Sequence, residues 1–331
     1  MTTSASISIR PQWQQELAQA VTDPLELASL LKLTEQLGTD DIEARRLFPL
    51  RVPRHFISLM QIGDRTDPLL LQVLPQAEEF LEAADFVTDP LAEQGSTNAL
   101  LHKYQSRVLV ILRGGCAINC RYCFRRHFPY DDHHFGPNER KHLLEYIEKD
   151  PAINEVILSG GDPLLATDQQ LDRLLTELEA LPQLKRVRIH SRLPVVIPSR
   201  LTVTLAERLQ RSRLQTVLVL HANHPREVST ALQQGTERWA EYGITLLNQS
   251  VLLKGVNDSS STLAALSEAL FDARIMPYYL HQLDKVAGAS HFAIHDDRAR
   301  LIEAELRARL PGFLVPKLVR EIAGEPSKTP L

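Results

Sequence analysis

From about residue 106 onward the chain alternates between short apolar runs and segments with helical spacing. The runs are "RVLVIL" (107–112), "NEVILS" (154–159), "RVRIH" (186–190), "TVLVLH" (216–221), "ITLLNQS" (244–250) and "RIMPYYL" (274–280). Runs of Val, Ile and Leu at this length read as strands buried on both faces, the habit of parallel sheets. Between them, "DQQLDRLLTELEAL" puts Leu171, Leu174, Leu175 and Leu178 on one helical face, with Asp168 as N-cap and Pro182 beyond the end. "NERKHLLEYIEK", "LTVTLAERLQRS", "PREVSTALQQGTERWAEY" and "SSTLAALSEALFDA" predict further helices. "DDRARLIEAELRARL" predicts a last one before a final apolar run, "GFLVPKLVR". Six strands alternating with helices predict right-handed crossovers and one parallel sheet. Periodicity leaves an open doubly wound sheet and a barrel equally available.

Residues 1 to about 95 follow another pattern. "DPLELASLLKLTEQL" has helical spacing and "FPLRVPRHFISLMQI" is interrupted by proline, which predicts a mainly helical N-terminal extension.

Each apolar run leads into polar or small residues. The first opens into "RGGCAINCRYC" and the second into Ser159, Gly160, Gly161 and Asp162. The third ends in His190, Ser191 and Arg192, the fourth in His221, Asn223 and His224. The fifth carries Asn248, Gln249 and Ser250, and the sixth leads to His281, Gln282 and Asp284. One polar strand end is an ordinary loop. Six in succession match the ligand-binding ends of a parallel α/β architecture.

Composition narrows the class. With 44% hydrophobic and 24% charged residues in 331, the chain suits a globular fold with a sizeable core. A formal charge of −4 argues against a general nucleic-acid binder. The opening "MTTSASISIRPQWQQEL" has no apolar segment of a secretory signal, and no run of about 18 apolar residues occurs. A cytoplasmic location is expected.

The three cysteines, Cys116, Cys120 and Cys123, fall within eight positions at C-x3-C-x2-C spacing and are the only ones in the chain. An odd number cannot all pair as disulfides, and thiolate clusters suit a reducing compartment. A zinc site would take His127 as a fourth ligand. An iron–sulfur cluster would take the thiolates and leave one iron open. The neighbouring Gly114–Gly115 pair suits a chain wrapping closely around an inorganic core. "DDHHF" (131–135) reads as an exposed loop.

The C-x3-C-x2-C loop after the first strand resembles that of the radical S-adenosylmethionine enzymes. "CRYCFRR", "LSGGDPLL", "HANHPREV", "NQSVLLKGVND" and "MPYYLHQLD" make the chain similar, from about Tyr104 to its last residues, to the lysine 2,3-aminomutases. The short branch that supplies (R)-β-lysine for modification of elongation factor P is the most similar type. The ending "GEPSKTPL", without the cysteine-bearing extension of the long clostridial-type enzymes, agrees with this. The resemblance implies a partial (βα)6 barrel over 96–310, following the helical extension at 1–95. It also implies a C-terminal segment, 311–331, carrying a cofactor lysine.

The resemblance also implies roles. Cys116, Cys120 and Cys123 hold a [4Fe–4S] cluster whose open iron takes S-adenosyl-L-methionine. Ser159, Gly160, Gly161 and Asp162 hold its methionine amino group, and His221 and Gln249 lie near it. Lys328 binds pyridoxal 5′-phosphate, with Arg107 and Lys103 on the phosphate. Glu325, Pro326 and Ser327 stand where relatives carry a glycine run. Arg125 pairs with the substrate carboxylate, a bidentate use of guanidinium. Asp284 and Glu321 receive the ε-ammonium of L-lysine. The implied reaction is radical migration of the amino group from C2 to C3, powered by one electron from a flavodoxin- or ferredoxin-type donor. Implied partners are elongation factor P and its lysyl ligase. Free β-lysine as a metabolite or osmolyte, and a metal- or cluster-binding protein without turnover, remain the other readings.

Overall fold

A computed structural model describes residues 10–93, 99–129 and 135–331. All but the last residue of "DDHHF" lies outside them. The N-terminal region holds five short helices: α1 (Gln12–Ala18), α2 (Pro24–Leu30), α3 (Thr39–Glu43), α4 (Arg54–Ser58) and α5 (Pro68–Leu71). Local chemistry starts them sharply: Asp23 and Asp67 cap α2 and α5, each followed by proline at the first helical position.

The rest is built on β1 (Leu100–Tyr104), β2 (Arg107–Arg113), α6 (Pro137–Lys149), β3 (Glu155–Gly160), α7 (Asp168–Glu179), β4 (Arg186–Ser191), α8 (Leu193–Val196), α9 (Val203–Gln210), β5 (Gln215–Leu220), α10 (Thr230–Glu241), β6 (Thr245–Leu252), α11 (Ser260–Asp272), β7 (Met276–Gln282), α12 (Asp296–Arg309), β8 (Lys317–Arg320) and β9 (Thr329–Pro330). Among the described residues, nine strands lie in chain order in one sheet. β2 through β8 are parallel, while β1 and β9 pair antiparallel at the two edges. The six apolar runs are β2 to β7. The edge strands escaped the pattern because "LLHKY" and "TP" are too short and too polar to stand out.

Seven inter-strand steps of about 4.8 Å would hold β1 and β8 on the order of 30 Å apart in a flat sheet. Instead the Tyr104 hydroxyl, on β1, donates to Glu321 Oε1, just past β8, at 2.7 Å. The sheet therefore curls until its edges meet through side chains, and its backbone ladder stays open between β1 and β9. This is a partial barrel.

Alternate strand residues divide the two faces. Val108, Val110, Val156, Leu158, Val187, Ile189, Leu218 and Leu220 are buried with Leu143, Leu171, Leu174, Leu178, Leu205 and Leu232 of the surrounding helices. The intervening positions, including Ser159, His190, Gln249 and His281, share the opposite face, which lines the barrel interior. A local expectation fails at α7: its N-cap is Thr167, not Asp168. Thr167 Oγ1 accepts from the Gln170 amide at 3.2 Å while Gln170 Oε1 accepts from the Thr167 amide at 3.0 Å, a reciprocal box. Asp168, one residue inside, pairs with Arg200 at 2.8 Å. Among the described residues no helix is long and apolar enough to cross a membrane.

Candidate active site

The cysteine loop leaves the C-terminal end of β2 and is laced to the neighbouring strand end by backbone bonds. Gly161 N donates to Arg113 O at 2.7 Å and Asp162 N to Gly115 O at 2.8 Å. This contact explains the Gly160–Gly161 pair. A Cβ on Gly161 would meet Gly115 O at 2.2 Å, and Gly160, at φ +117°, would place one 2.5 Å from Arg113 O. Gly161 thus makes room for the Gly114–Gly115 backbone, whereas a Cβ on Gly115 would come no nearer than 3.8 Å, to Leu165 Cδ1.

Asp162 is buried and fully engaged. It accepts from Ser191 Oγ (2.7 Å) and the backbone amides of Leu193 (2.8 Å), Arg192 (2.9 Å) and Leu164 (3.0 Å). It ties β3 to the end of β4. Burial still pushes its carboxyl above the usual range, against these four donors.

The N-terminal region braces the cysteine loop from the other side. Arg51 Nη1 donates to Cys116 O at 3.1 Å, and the Asn119 amide donates to Arg51 O at 3.1 Å. Glu79 is fully buried between two arginines of the loop. Its Oε1 accepts from Arg121 Nε at 2.7 Å, and its Oε2 accepts from Arg121 Nη2 and, at 2.6 Å, from Arg126 Nη2. Nothing in the sequence marked Glu79, because its partners lie some forty residues away.

Cys116, Cys120 and Cys123 are free thiols. Burial raises Cys116 well above its ordinary value, with Cys123, Asp162 and Cys120 adding to the rise; burial and Cys120 push Cys123 up to about 11. Ionising such a set needs a compensating cation. Three soft thiolates on one loop suit an iron–sulfur core that takes one at each of three corners. His127, the candidate fourth zinc ligand, has its Nε2 3.1 Å from Ala287 O. Among the described residues no three His, Cys, Asp or Glu side chains form a cage for a single ion.

A second polar group forms where the sheet edges meet. β9 pairs with β8 so that Arg320 faces Thr329, which sets Glu321 opposite Lys328 across the hairpin. Lys328 Nζ donates to Glu321 Oε2. Burial would raise Glu321, but Lys328 and Tyr104 prevail and hold it below the usual range. Asp284 stands in the same field. Burial lifts it to about 7; Lys328 and Lys103 pull against the rise, and Glu321 and Glu93 add to it.

Glu93 went unnoticed in the sequence. It is 4% exposed and bridges two of the candidate residues, accepting from Lys103 Nζ at 2.9 Å and Arg125 Nε at 2.7 Å. Burial opposes its charge, yet Arg125 and Lys103 hold it below the usual carboxylate range. Arg125 Nη1 also donates to Ser159 Oγ (3.2 Å) and Gly160 O (3.1 Å), joining this group to the end of β3. Arg107 lies over the Tyr104 ring at 3.9 Å.

Neutral imidazoles line the interior between the two groups. Burial, with Arg192 adding, takes His221 down to about 3, and its Nε2 lies 3.1 Å from Gln249 Nε2, an amide donor as placed. His190 and His281 are held well below their ordinary values by burial first. Lys328 contributes to both, and its ammonium lies 5.6 Å from the centre of the Tyr279 ring on β7. Their Nε2 atoms are buried and have no partner in the described chain, as expected of a surface built to meet a ligand.

The structure thus gathers Lys103, Arg125, Asp284, Glu321 and Lys328 into one electrostatic neighbourhood, with Ser159 and Gly160 at its border. Cys116, Cys120, Cys123, Gly161 and Asp162 form the adjoining loop, and His221 and Gln249 a pair between.

The Radical SAM superfamily model matches residues 110–265. The L-lysine 2,3-aminomutase of Escherichia coli (strain K12) is 55% identical over 324 residues, covering 97% of this chain and 95% of that protein. That of Haemophilus influenzae is 50% identical, covering 96% and 94%. The Clostridium subterminale enzyme of the same name is 33% identical, covering 96% of this chain and 77% of that protein.

Proposed function

The chain belongs to the L-lysine 2,3-aminomutase family of radical SAM isomerases, and from that premise we propose how its residues divide the work. Cys116, Cys120 and Cys123 hold a [4Fe–4S] cluster. Ser159 to Asp162, His221 and Gln249 seat S-adenosyl-L-methionine beside it. Lys328 carries pyridoxal 5′-phosphate, with Arg107 and Lys103 on the phosphate. Together the cofactors supply a carbon-centred oxidant and a π-system that delocalises an unpaired electron. The protein supplies position and exclusion of water.

The acidic pair around Lys328 carries the choice of substrate. Asp284 and Glu321 present two carboxylates where an L-lysine side chain would end, and Arg125 takes the α-carboxylate at the other end. Without cofactor, the ammonium of Lys328 occupies Glu321. A pyridoxal phosphate held by Lys328 Nζ would draw that nitrogen away from Glu321 and leave the carboxylate open to the substrate ε-ammonium. The neutral His190, His221 and His281 add no positive charge to an interior that must admit a sulfonium and an ammonium. Glu93 orients Arg125 and Lys103 from behind.

We assign the product as (R)-β-lysine. It is passed to elongation factor P by a lysyl ligase in the reducing cytoplasm, where a flavodoxin- or ferredoxin-type protein supplies the electron. The test is anaerobic reconstitution with iron, sulfide and pyridoxal phosphate, then incubation with S-adenosylmethionine, dithionite and L-lysine. Chiral chromatography should show (R)-β-lysine, and L-glutamate should be unchanged. Purified ligase should transfer the product to elongation factor P. Unchanged L-lysine on protein carrying both cofactors would overturn the reading. Turnover without transfer would leave β-lysine as a free metabolite.

A further inference from the structure

Arg192, at the end of β4, is 6% exposed and reaches into the cysteine loop. Its Nη1 lies 2.7 Å from Cys120 Sγ and 2.5 Å from the Tyr122 hydroxyl. Its Nη2 donates to Gln72 Oε1 at 2.7 Å and Glu227 Oε2 at 2.9 Å. Its Nε is buried and finds no acceptor in the described chain. Three partners from three segments, Tyr122, Gln72 and Glu227, hold one guanidinium against one cysteine sulfur. The remaining donor is left for whatever that sulfur binds.

We infer that Arg192 is a positioning residue that sets the reduction potential of the cluster through Cys120. The inference rests on the cluster assignment made above. Reduction adds one electron, here from dithionite, and forms or breaks no bond to carbon. The added negative charge spreads onto the cysteine sulfurs. A cationic N–H donor at one sulfur stabilises the reduced state more than the oxidised one, as hydrogen bonds to cluster sulfurs do. Glu227 balances the buried charge, so the cation persists without a free counterion. Gln72 comes from the N-terminal region, so that region reaches the electron-accepting step through this contact.

The experiment is an EPR-monitored redox titration of anaerobically reconstituted protein. Arg192→Gln should lower the equilibrium constant for cluster reduction about tenfold, or about 59 mV for one electron. Because that variant strands Glu227, the double variant Arg192→Gln/Glu227→Gln is titrated beside it. It keeps buried charge balanced and should show the same direction with a smaller shift. Arg51→Gln is the control, since Arg51 reaches the Cys116 carbonyl and no sulfur; its shift should stay below about twofold. Equal potentials in wild type and both Arg192 variants, at equal cluster loading, would overturn the inference. So would an Arg51→Gln shift matching that of Arg192→Gln. Wild-type protein with no four-iron signal would instead overturn the cluster assignment itself.

Discussion

The two ends of the site are built on opposite principles. Around the cysteines nearly every buried charge already has its partner: Glu79 between Arg121 and Arg126, Arg192 on Glu227, Asp162 under four donors. Around Lys328 little holds the chain. Residues 322–327 are exposed, β9 has two residues, and the lysine relies on Glu321 for its ion pair. The first end is held by several buried ion pairs within the chain. The second rests on one partly exposed pair, Lys328 with Glu321. A residue that supports the first end should therefore show itself in folding, and a residue at the second in chemistry.

Lys328→Ala breaks the comparison most sharply. Activity should fall at least about 10³-fold, roughly 4 kcal/mol of transition-state stabilisation. The long-wavelength absorption of lysine-bound pyridoxal phosphate should vanish. The melting transition should hardly move, because the side chain is partly exposed and its ion pair is peripheral. A large loss of stability would mean that the hairpin is structural after all.

Glu79→Gln should do the reverse. It strands two fully buried guanidinium groups, and losing one partner of a buried ion pair costs about 3–5 kcal/mol. Urea unfolding should show that loss, with cluster content falling as the loop loosens. Wild-type stability would mean that the N-terminal region rests on the barrel without bracing it. Gly161→Ala comes next in size. Its Cβ cannot coexist with Gly115 O at 2.2 Å, so the strand end and the cysteine loop must separate, at about 1–3 kcal/mol. Iron content per chain after reconstitution should fall with stability.

These contrasts also explain what could be read from the chain. Six of the seven parallel strands were visible because each is a local apolar run, and the cysteines because their spacing is local. Lys328 was reached only through family likeness; by itself it is a lysine near the end of the sequence. Glu79, Glu93, Gln72 and Glu227 left no trace, since each acquires meaning from a partner far away along the chain. Gly114–Gly115 was visible as a motif, but the backbone approach of Gly161 to it was not. Periodicity alone left the barrel as one of two options, and the family likeness selected it. Its curl is settled by the contact between Tyr104 and Glu321, which no periodicity records.

The smallest expected effect lies at the soft end and turns on Asp284. Its folded value of about 7 exceeds the ordinary 3.8, so the folded chain keeps a proton that the unfolded chain gives up between those values. The stabilisation is complete below pH 4 and is lost as pH rises through 7. Asp284→Asn should flatten that part of the stability curve. Binding reverses the balance: an ε-ammonium brought beside Asp284 favours the carboxylate and drives the proton off. Titration of L-lysine into cofactor-loaded protein, in buffers of different ionisation enthalpy, should therefore release more protons from wild type than from Asp284→Asn at pH 6. The difference between the two proteins should shrink at pH 8. Equal release at pH 6 in both proteins would place the ε-ammonium elsewhere and leave Glu321 as its sole carboxylate.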